Sequence, residues 1–548
     1  MKRTPMKALM HQVGTRPQST AFIFDDTVWT YERLASESAR LARALAARGV
    51  RAGDRVALHM MNRPEMIVAY YACFQLRAIA APLRTAFKAA ELAGLLQRLG
   101  VALYLGEMNL YHNVESIDAA ILPQDRRFVL DAVRDGVDVQ PWELLFDGAD
   151  SEPSFASSEV QYPAVLINTS GTSGQPKFVM HSADTLGESV KLMAEAWDVS
   201  GNDVAVVALS LAHLSGLITS LAWLDIGAPF VLLESFDAEA VLDAVQRHRR
   251  TVYLGFPVQY AALLDLQRAQ PRDLSSLRYC LTAADVCPVE LQEQVSATFN
   301  APLRNLWAST EVVGSLTYGL KSGPVARIVK GAEIRLIDGS GADVPHGDVG
   351  ELLVRGPNVF MGYWGDTQAT EQVLEGGWYH TGDLMQRGEG DELWFVARKK
   401  DIIIRGGTNI SPIEVEEALV ACHPALKEAL VVGVPDSVLG QRIFGFITVT
   451  EDAGETVVSE ILEKVAERLA AYKVPEDLKV LEKLPLTVLG KVDRKRLLKV
   501  ASDLYESGQL WTRDISSSHS KGTPALGRRA KSVAVFKRPV ATTTLNGH

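Results

Sequence analysis

Thr169-Ser170-Gly171-Thr172-Ser173-Gly174-Gln175-Pro176-Lys177 is the stretch on which the reading of this chain turns. It follows an apolar run, 164–167, that reads as a strand. Two glycines, four hydroxyl residues and a lysine in nine positions suit a phosphate cradle. The glycines let backbone N–H groups approach an anion and the lysine supplies charge. The spacing is not that of a Walker A loop, and no G-x-G-x-x-G follows a strand, so a Rossmann fingerprint is lacking. Taken alone, the nonapeptide reads equally as a polar turn.

Outward from it, strand-like and helix-like patterns alternate, which favours α/β layers. Residues 30–49 form an amphipathic helix pattern with Thr30 as cap, Leu34, Leu41 and Leu45 on one face and Gly49 at the end. Residues 56–61 read as a strand, and a helical pattern follows from Glu65. Around residue 400 the texture changes. Ser411-Pro412-Ile413-Glu414 combines an N-cap, a first-turn proline and a glutamate at the capping-box position. Apolar strands at 429–434 and 443–449 follow, then a helix whose stripe is Val458, Ile461, Val465 and Leu469. This is a self-contained α/β unit of roughly a hundred residues. Residues 513–548 turn to Ser, Thr, Gly, Arg and Lys and read as a disordered basic tail.

The 548 residues allow two to four domains at roughly 100–200 residues each. With 47% hydrophobic and 22% charged residues the chain is ordinary globular material. The net charge of −10 divides into +6 on the tail, from seven Lys/Arg and one Asp, and −16 on residues 1–512. That balance argues against a generic nucleic-acid binder. Cys73, Cys280, Cys287 and Cys422 are scattered without zinc or disulfide spacing, which fits a reducing compartment. No apolar run of signal-peptide length follows the basic start. The longest apolar stretch, 209–224, is interrupted by His213, so no membrane span and a cytoplasmic setting are expected.

The nonapeptide resembles the phosphate loop of the adenylate-forming (AMP-binding) superfamily, which includes acyl-CoA synthetases such as fatty acid–CoA ligases. Trp307-Ala308-Ser309-Thr310-Glu311 is similar to its aromatic-Gly-x-Thr-Glu motif. Thr381-Gly382-Asp383 matches its Thr-Gly-Asp motif, and Ala397-Arg398-Lys399-Lys400-Asp401 its Gly-Arg-x-Lys-Asp hinge. Leu489-Gly490-Lys491 sits where the family ends on Gly-Lys. Any one match has a bland explanation; five in the family's order across some 320 residues do not.

The resemblance implies an α/β fold: a large multi-layer N-terminal domain of α/β subdomains (1–399) and a small mobile C-terminal α+β lid domain (400–512). It implies that Thr169, Ser170, Thr172, Ser173 and Lys177, with the backbone at Gly171 and Gly174, hold the β- and γ-phosphates of ATP. Trp307 would lie against adenine, with Ala283, Ala284 and Asp285 across that pocket. Thr310 would contact the α-phosphate, and Glu311, with Thr169, would ligate Mg²⁺. Asp383 and Arg398 would hold the ribose. Lys491 would promote attack of a substrate carboxylate on the α-phosphate. Lys400 would be the hinge about which the lid swings, and Arg405-Gly406-Gly407 a loop admitting the thiol of CoA. His213 would sit near the acyl carboxylate, in a pocket walled by its own segment, Phe256-Pro257 and 307–309.

Outside that context several of these residues have plainer readings. Trp307 would be a core aromatic, Asp383 a turn residue, His213 a satisfied core histidine, and Lys491 part of a solvated run with Arg494, Lys495 and Arg496. Phe178, Ala308 and Ala397 stand where the family commonly has glycine. No acidic or amide anchor for a substrate amine is evident, which tilts the acid toward a fatty or otherwise apolar one. The expected function is therefore an ATP-dependent acyl-CoA ligase. The alternatives are an adenylating ligase that loads an acyl carrier protein and a non-catalytic binding paralogue. A luciferase-like oxygenase is conceivable on the same fold, without specific support. A homodimer is compatible with the sequence.

Overall fold

The computed structural model describes residues 3–148, 162–169, 176–283, 287–313, 317–318, 325–328, 333–388, 392–406, 408–436, 438–451, 453–454, 456–487 and 491–507. The chain divides into two compact units, residues 1–334 with 354–380, and residues 335–353 with 381–548.

The first unit carries two largely parallel sheets. In one, the strands run Leu303–Trp307, Tyr279–Thr282, Val252–Gly255, Ala205–Val207, Phe230–Leu232 and Thr20–Phe24, all parallel neighbours. In the other the order is Gln140–Pro141, Arg127–Leu130, Leu103–Glu107, Arg55–His59, Ile79–Pro82, Pro163–Thr169 and Lys177–Ser182. Only the last pair of that sheet is antiparallel.

Helices Pro64–Leu76 and Leu214–Ile226 each bury 11 of 13 residues and join one apolar cluster with strand residues of both sheets. Helices apolar on every face are core helices, so these two lie inside layers rather than on a surface. The interrupted run at 209–224 belongs to this buried core. Among the described residues no helix is long and apolar enough to cross a membrane.

Local signals translate well. Helix Tyr31–Ala47 starts where Thr30 accepts from Arg33 N at 3.1 Å, and Gly49 follows it with φ +89°. A β-carbon at Gly216, inside Leu214–Ile226, would lie 2.2 Å from the Ser210 carbonyl oxygen. Because backbone cannot yield cheaply there, Gly216→Ala is expected to cost about 1–3 kcal/mol, read as a lowered urea midpoint.

In the second unit Thr408–Ile410, Ile403–Arg405, Gly440–Val449 and Leu426–Asp436 form an antiparallel sheet, with Asp477–Val480 added parallel to Gly440–Val449. Alternation sends Val431, Ile443 and Ile447 to one face, under helices Pro412–Val420 and Val457–Arg468. Leu430, Val432, Val434, Phe444 and Phe446 go to the other, under helix Arg494–Glu506. Ser411 caps its helix as expected, accepting from Glu414 N at 3.3 Å. Glu414 does not close the box: one oxygen takes Lys473 Nζ at 2.6 Å and the other is buried without a partner. An ionised partner within reach is a stronger attraction than a backbone N–H. In helix Val457–Arg468 the stripe is Val457, Ile461, Leu462 and Val465, while Val458 and Leu469 are half-buried.

Candidate active site

Thr169 and Lys177 face one another as the last cross-strand pair of Pro163–Thr169 and Lys177–Ser182, so both are strand ends. Ser170, Gly171, Thr172, Ser173 and Gly174 lie outside the described residues, as do Ala284, Asp285 and Gly407. The base of the stretch is braced: Arg98 donates to the Pro176 carbonyl at 2.7 Å and sits 5.1 Å from the Phe178 ring centroid. Phe178 is 1% exposed and belongs to the apolar cluster of the second sheet. Its bulk fills core where a glycine would leave a cavity.

The Thr310-Glu311 motif is delivered to Lys177 by two contacts that sequence reading missed. His181, four residues after Lys177, is fully buried and its Nε2–H donates to the Thr310 carbonyl at 2.7 Å. Tyr363 donates its hydroxyl to Glu311 Oε1 at 3.0 Å, and Lys177 Nζ lies 4.5 Å from the Tyr363 ring centroid. Phe360 N also donates to the Glu311 carbonyl at 2.8 Å. Lys177, Thr310 and Glu311 thus converge on one corner of the first unit. The one signal for Tyr363 was the aromatic-rich Phe360-Met361-Gly362-Tyr363-Trp364 run, and for His181 a lone histidine in an apolar strand.

The remaining first-unit positions share one edge. In open parallel sheets ligands bind beyond the carboxyl ends of the strands. Ala283 follows Tyr279–Thr282, and Trp307 ends Leu303–Trp307, with Thr282 paired to Asn305. Phe256-Pro257 follows Val252–Gly255, where Gly255 pairs with Thr282. The segment 208–213 leaves the carboxyl end of Ala205–Val207 in the same sheet. Ala283, Trp307, Phe256 and His213 are all half-buried.

His213 has a structural task as N-cap of Leu214–Ile226. Its Nδ1 is 3.3 Å from Ser215 N and 2.8 Å from the Ser215 hydroxyl. Accepting from that N–H leaves Nδ1 unprotonated and puts the ring proton on Nε2.

In the second unit Asp383 and Arg398 are a cross-strand pair of Trp378–Arg387 and Glu392–Arg398. Arg398 Nε meets Asp383 Oδ1 at 2.6 Å, and the Asp383 side chain is 1% exposed. Thr381 Oγ1 accepts from Asp383 N at 3.0 Å and donates to the Leu352 carbonyl at 2.8 Å, which fixes the turn. Lys400 is exposed, and partial desolvation, then the nearby Arg398 charge, hold its ammonium below the usual lysine range despite Asp401.

Arg405 is committed elsewhere than its loop. Its guanidinium pairs with Glu476 at 2.7 Å and donates to the Tyr472 carbonyl at 3.2 Å. Glu476 also pairs with Arg442 at 2.7 Å, and Arg442 with Asp436 at 2.6 Å. Arg442, the Leu439 N–H and the Tyr505 hydroxyl hold the Asp436 carboxyl far below the usual carboxylate range. Gly406 adopts φ +56° and donates its N–H to the Leu439 carbonyl at 2.7 Å.

Lys491 is exposed, and its carbonyl accepts from Thr487 N at 2.7 Å. Its neighbour Arg494 is tied to Glu416 at 2.8 Å.

Residues 9–364 match the AMP-binding enzyme family, and residues 414–491 the AMP-binding enzyme C-terminal domain. The chain is 34% identical to the indoleacetate–CoA ligase of Aromatoleum aromaticum, over 87% of this chain and 94% of that one. It is 31% identical to the medium-chain fatty-acid–CoA ligase of Escherichia coli, over 86% and 85%. Among solved structures, the anthranilate CoA ligase AuaEII with anthranoyl-AMP superposes with a TM-score of 0.83 at 25% identity, covering 92% of this chain and 98% of that one. The o-succinylbenzoate coenzyme A synthetase of Bacillus subtilis, with ATP and magnesium ion, superposes with 0.76 at 28% identity, covering 89% and 98%. The chain therefore belongs to the AMP-binding enzyme family and is an adenylate-forming enzyme of the acid–thiol ligase type.

Proposed function

We propose that this chain couples ATP to an apolar carboxylic acid, releasing pyrophosphate, and passes the acyl group from acyl-AMP to CoA. The observation that carries the reading is the convergence of Lys177, Thr310 and Glu311 on one corner, tied together by His181 and Tyr363. One tyrosine touches both an ammonium and a carboxylate there, with Thr310 next to that carboxylate in sequence, a set that suits a polyphosphate with a hard cation. Only one Glu311 oxygen is taken by Tyr363, so the other is suited to Mg²⁺, with Thr169 as a second oxygen donor. When bound, Mg²⁺ would neutralise phosphate charge during displacement.

The chain's own residues supply the rest. Trp307 offers a flat ring for the purine. Arg398 and Asp383 form a donor–acceptor pair matched to ribose hydroxyls. His213 would sit near the acid's carboxylate, and Lys491 offsets the charge that develops as that carboxylate meets the α-phosphate. Relatives acting on indoleacetate and on a medium-chain fatty acid support an apolar acid. Residues 1–399 and 400–512 are read as the two mechanistic parts, with Lys400 as hinge and the backbone at Gly406-Gly407 lining the thiol route. Arg405 shapes that route through Glu476. Four buried free cysteines support a reducing, cytoplasmic setting.

The test is pyrophosphate release with ATP and Mg²⁺ across aryl and fatty acids of graded length, followed by addition of CoA or a holo-carrier protein. Pyrophosphate followed by CoA thioester is expected. Adenylate that reacts only with the carrier protein would move the acceptor, and no pyrophosphate with any acid would leave a non-catalytic paralogue.

A further inference from the structure

We propose that Tyr363 is a positioning residue for the nucleotide, its hydroxyl setting the Glu311 carboxylate for the divalent cation and its ring seating the Lys177 ammonium for the phosphates. This rests on the nucleotide reading of Lys177 and Glu311 given above.

The geometry is specific to one side chain serving both groups. The hydroxyl reaches Glu311 Oε1 at 3.0 Å, and Lys177 Nζ lies 4.5 Å from the ring centroid. A hydroxyl donor on one carboxylate oxygen restricts the rotamer and leaves the second oxygen to a cation. A cation over an aromatic face is held without being neutralised, so it keeps its full charge for an anion. An acidic partner in place of the ring would hold the lysine and cancel it.

The ring has little freedom to turn away. Its backbone is hydrogen-bonded along 178–180 through an isolated bridge, with Met180 N to the Gly362 carbonyl at 3.0 Å, Met361 N to the Met180 carbonyl at 2.9 Å and Trp364 N to the Phe178 carbonyl at 2.8 Å. Tyr363 N donates to Thr370 Oγ1 at 2.9 Å, and Phe360 packs edge-on to the ring at 5.0 Å.

Two variants separate the two arms. Tyr363→Phe keeps the ring and removes the hydroxyl; Tyr363→Leu removes both. Calorimetric ATP binding is measured in EDTA and at graded Mg²⁺, alongside Mn²⁺ binding by EPR in the presence of ATP and pyrophosphate release at graded Mg²⁺. For Tyr363→Phe the half-saturating Mg²⁺ and the Mn²⁺ dissociation constant are expected to rise about tenfold. Its ATP affinity in EDTA should stay within twofold, and kcat should recover at saturating Mg²⁺. Tyr363→Leu is expected to weaken ATP in EDTA by a further threefold or so.

Unchanged Mg²⁺ and Mn²⁺ dependence in Tyr363→Phe overturns the inference, as does a loss that saturating Mg²⁺ does not restore. If Tyr363→Leu fails to fold, Tyr363→Phe decides alone. Wild-type chain that binds no ATP under either condition overturns the nucleotide reading itself. Wild-type binding with an indifferent Tyr363→Phe overturns only the role of Tyr363.

Discussion

Replacing Lys491 with alanine is expected to lower pyrophosphate release about 10²–10³-fold, the usual effect of removing one preorganised donor from a developing oxyanion. Thioester formation from supplied acyl-adenylate should change by less than about threefold. The ammonium matters only while a carboxylate is driven onto an α-phosphate, when two anions meet; in the later thiol attack AMP is already leaving. Lys491 is exposed, so the variant should fold with a stability change within about 0.5 kcal/mol. Stopped-flow pyrophosphate assay and thioester quantification check the split. Equal loss of both steps would contradict a lysine dedicated to the first. Arg494 provides the contrast. It is tied to Glu416 and to the Val431 carbonyl, so Arg494→Ala should lower the unfolding midpoint rather than separate the two steps.

Acidification is expected to destabilise the first unit steeply between pH 6.5 and about 4. His59 and His181 are both fully buried, and burial lowers each pKa from 6.5 to about 4. In that window the unfolded chain binds a proton at each ring while the folded chain does not, so stability falls as pH falls. The slope is about 1.4 kcal/mol per pH unit for each histidine, giving about 3–4 kcal/mol between pH 7 and pH 5 for the two. Well above pH 6.5 neither contributes a slope. Glu107 and Asp225, whose carboxyl pKa values burial raises, take up protons on folding in acid and soften the lower end of the fall. Urea denaturation at half-unit pH steps reads the slope. His181→Asn should remove about half of it while also loosening the Thr310 carbonyl; an unchanged slope would show that the ring is not neutral in the folded state.

The Thr30 and Ser411 caps, the strand before Thr169 and the strand at 429–434 were legible because their causes are local. A cap is decided within three residues and a strand by a short apolar run. The family resemblance likewise needed only short motifs in order, and the family model matches residues 9–364.

The partners of the site residues were not legible. Tyr363 meets Glu311 across 52 residues, His181 meets Thr310 across 129, and Arg405 meets Glu476 across 71. No periodicity marks a pair so far apart, because register and packing of whole sheets bring it together. His213 could be read as a ligand or as a core residue, and the fold adds a third answer: it caps a buried helix and thereby sets its own tautomer.

The amino-acid sequence by itself determined the α/β layering, the start of the helix at Pro412, the nonapeptide and the order of the motifs, since each depends on neighbours within a few residues. Tertiary structure alone decided that Tyr363 spans Lys177 and Glu311, that Arg405 belongs to an ion-pair network and that Phe178 is core. Those assignments are properties of distances between segments, which chain connectivity leaves open and packing closes.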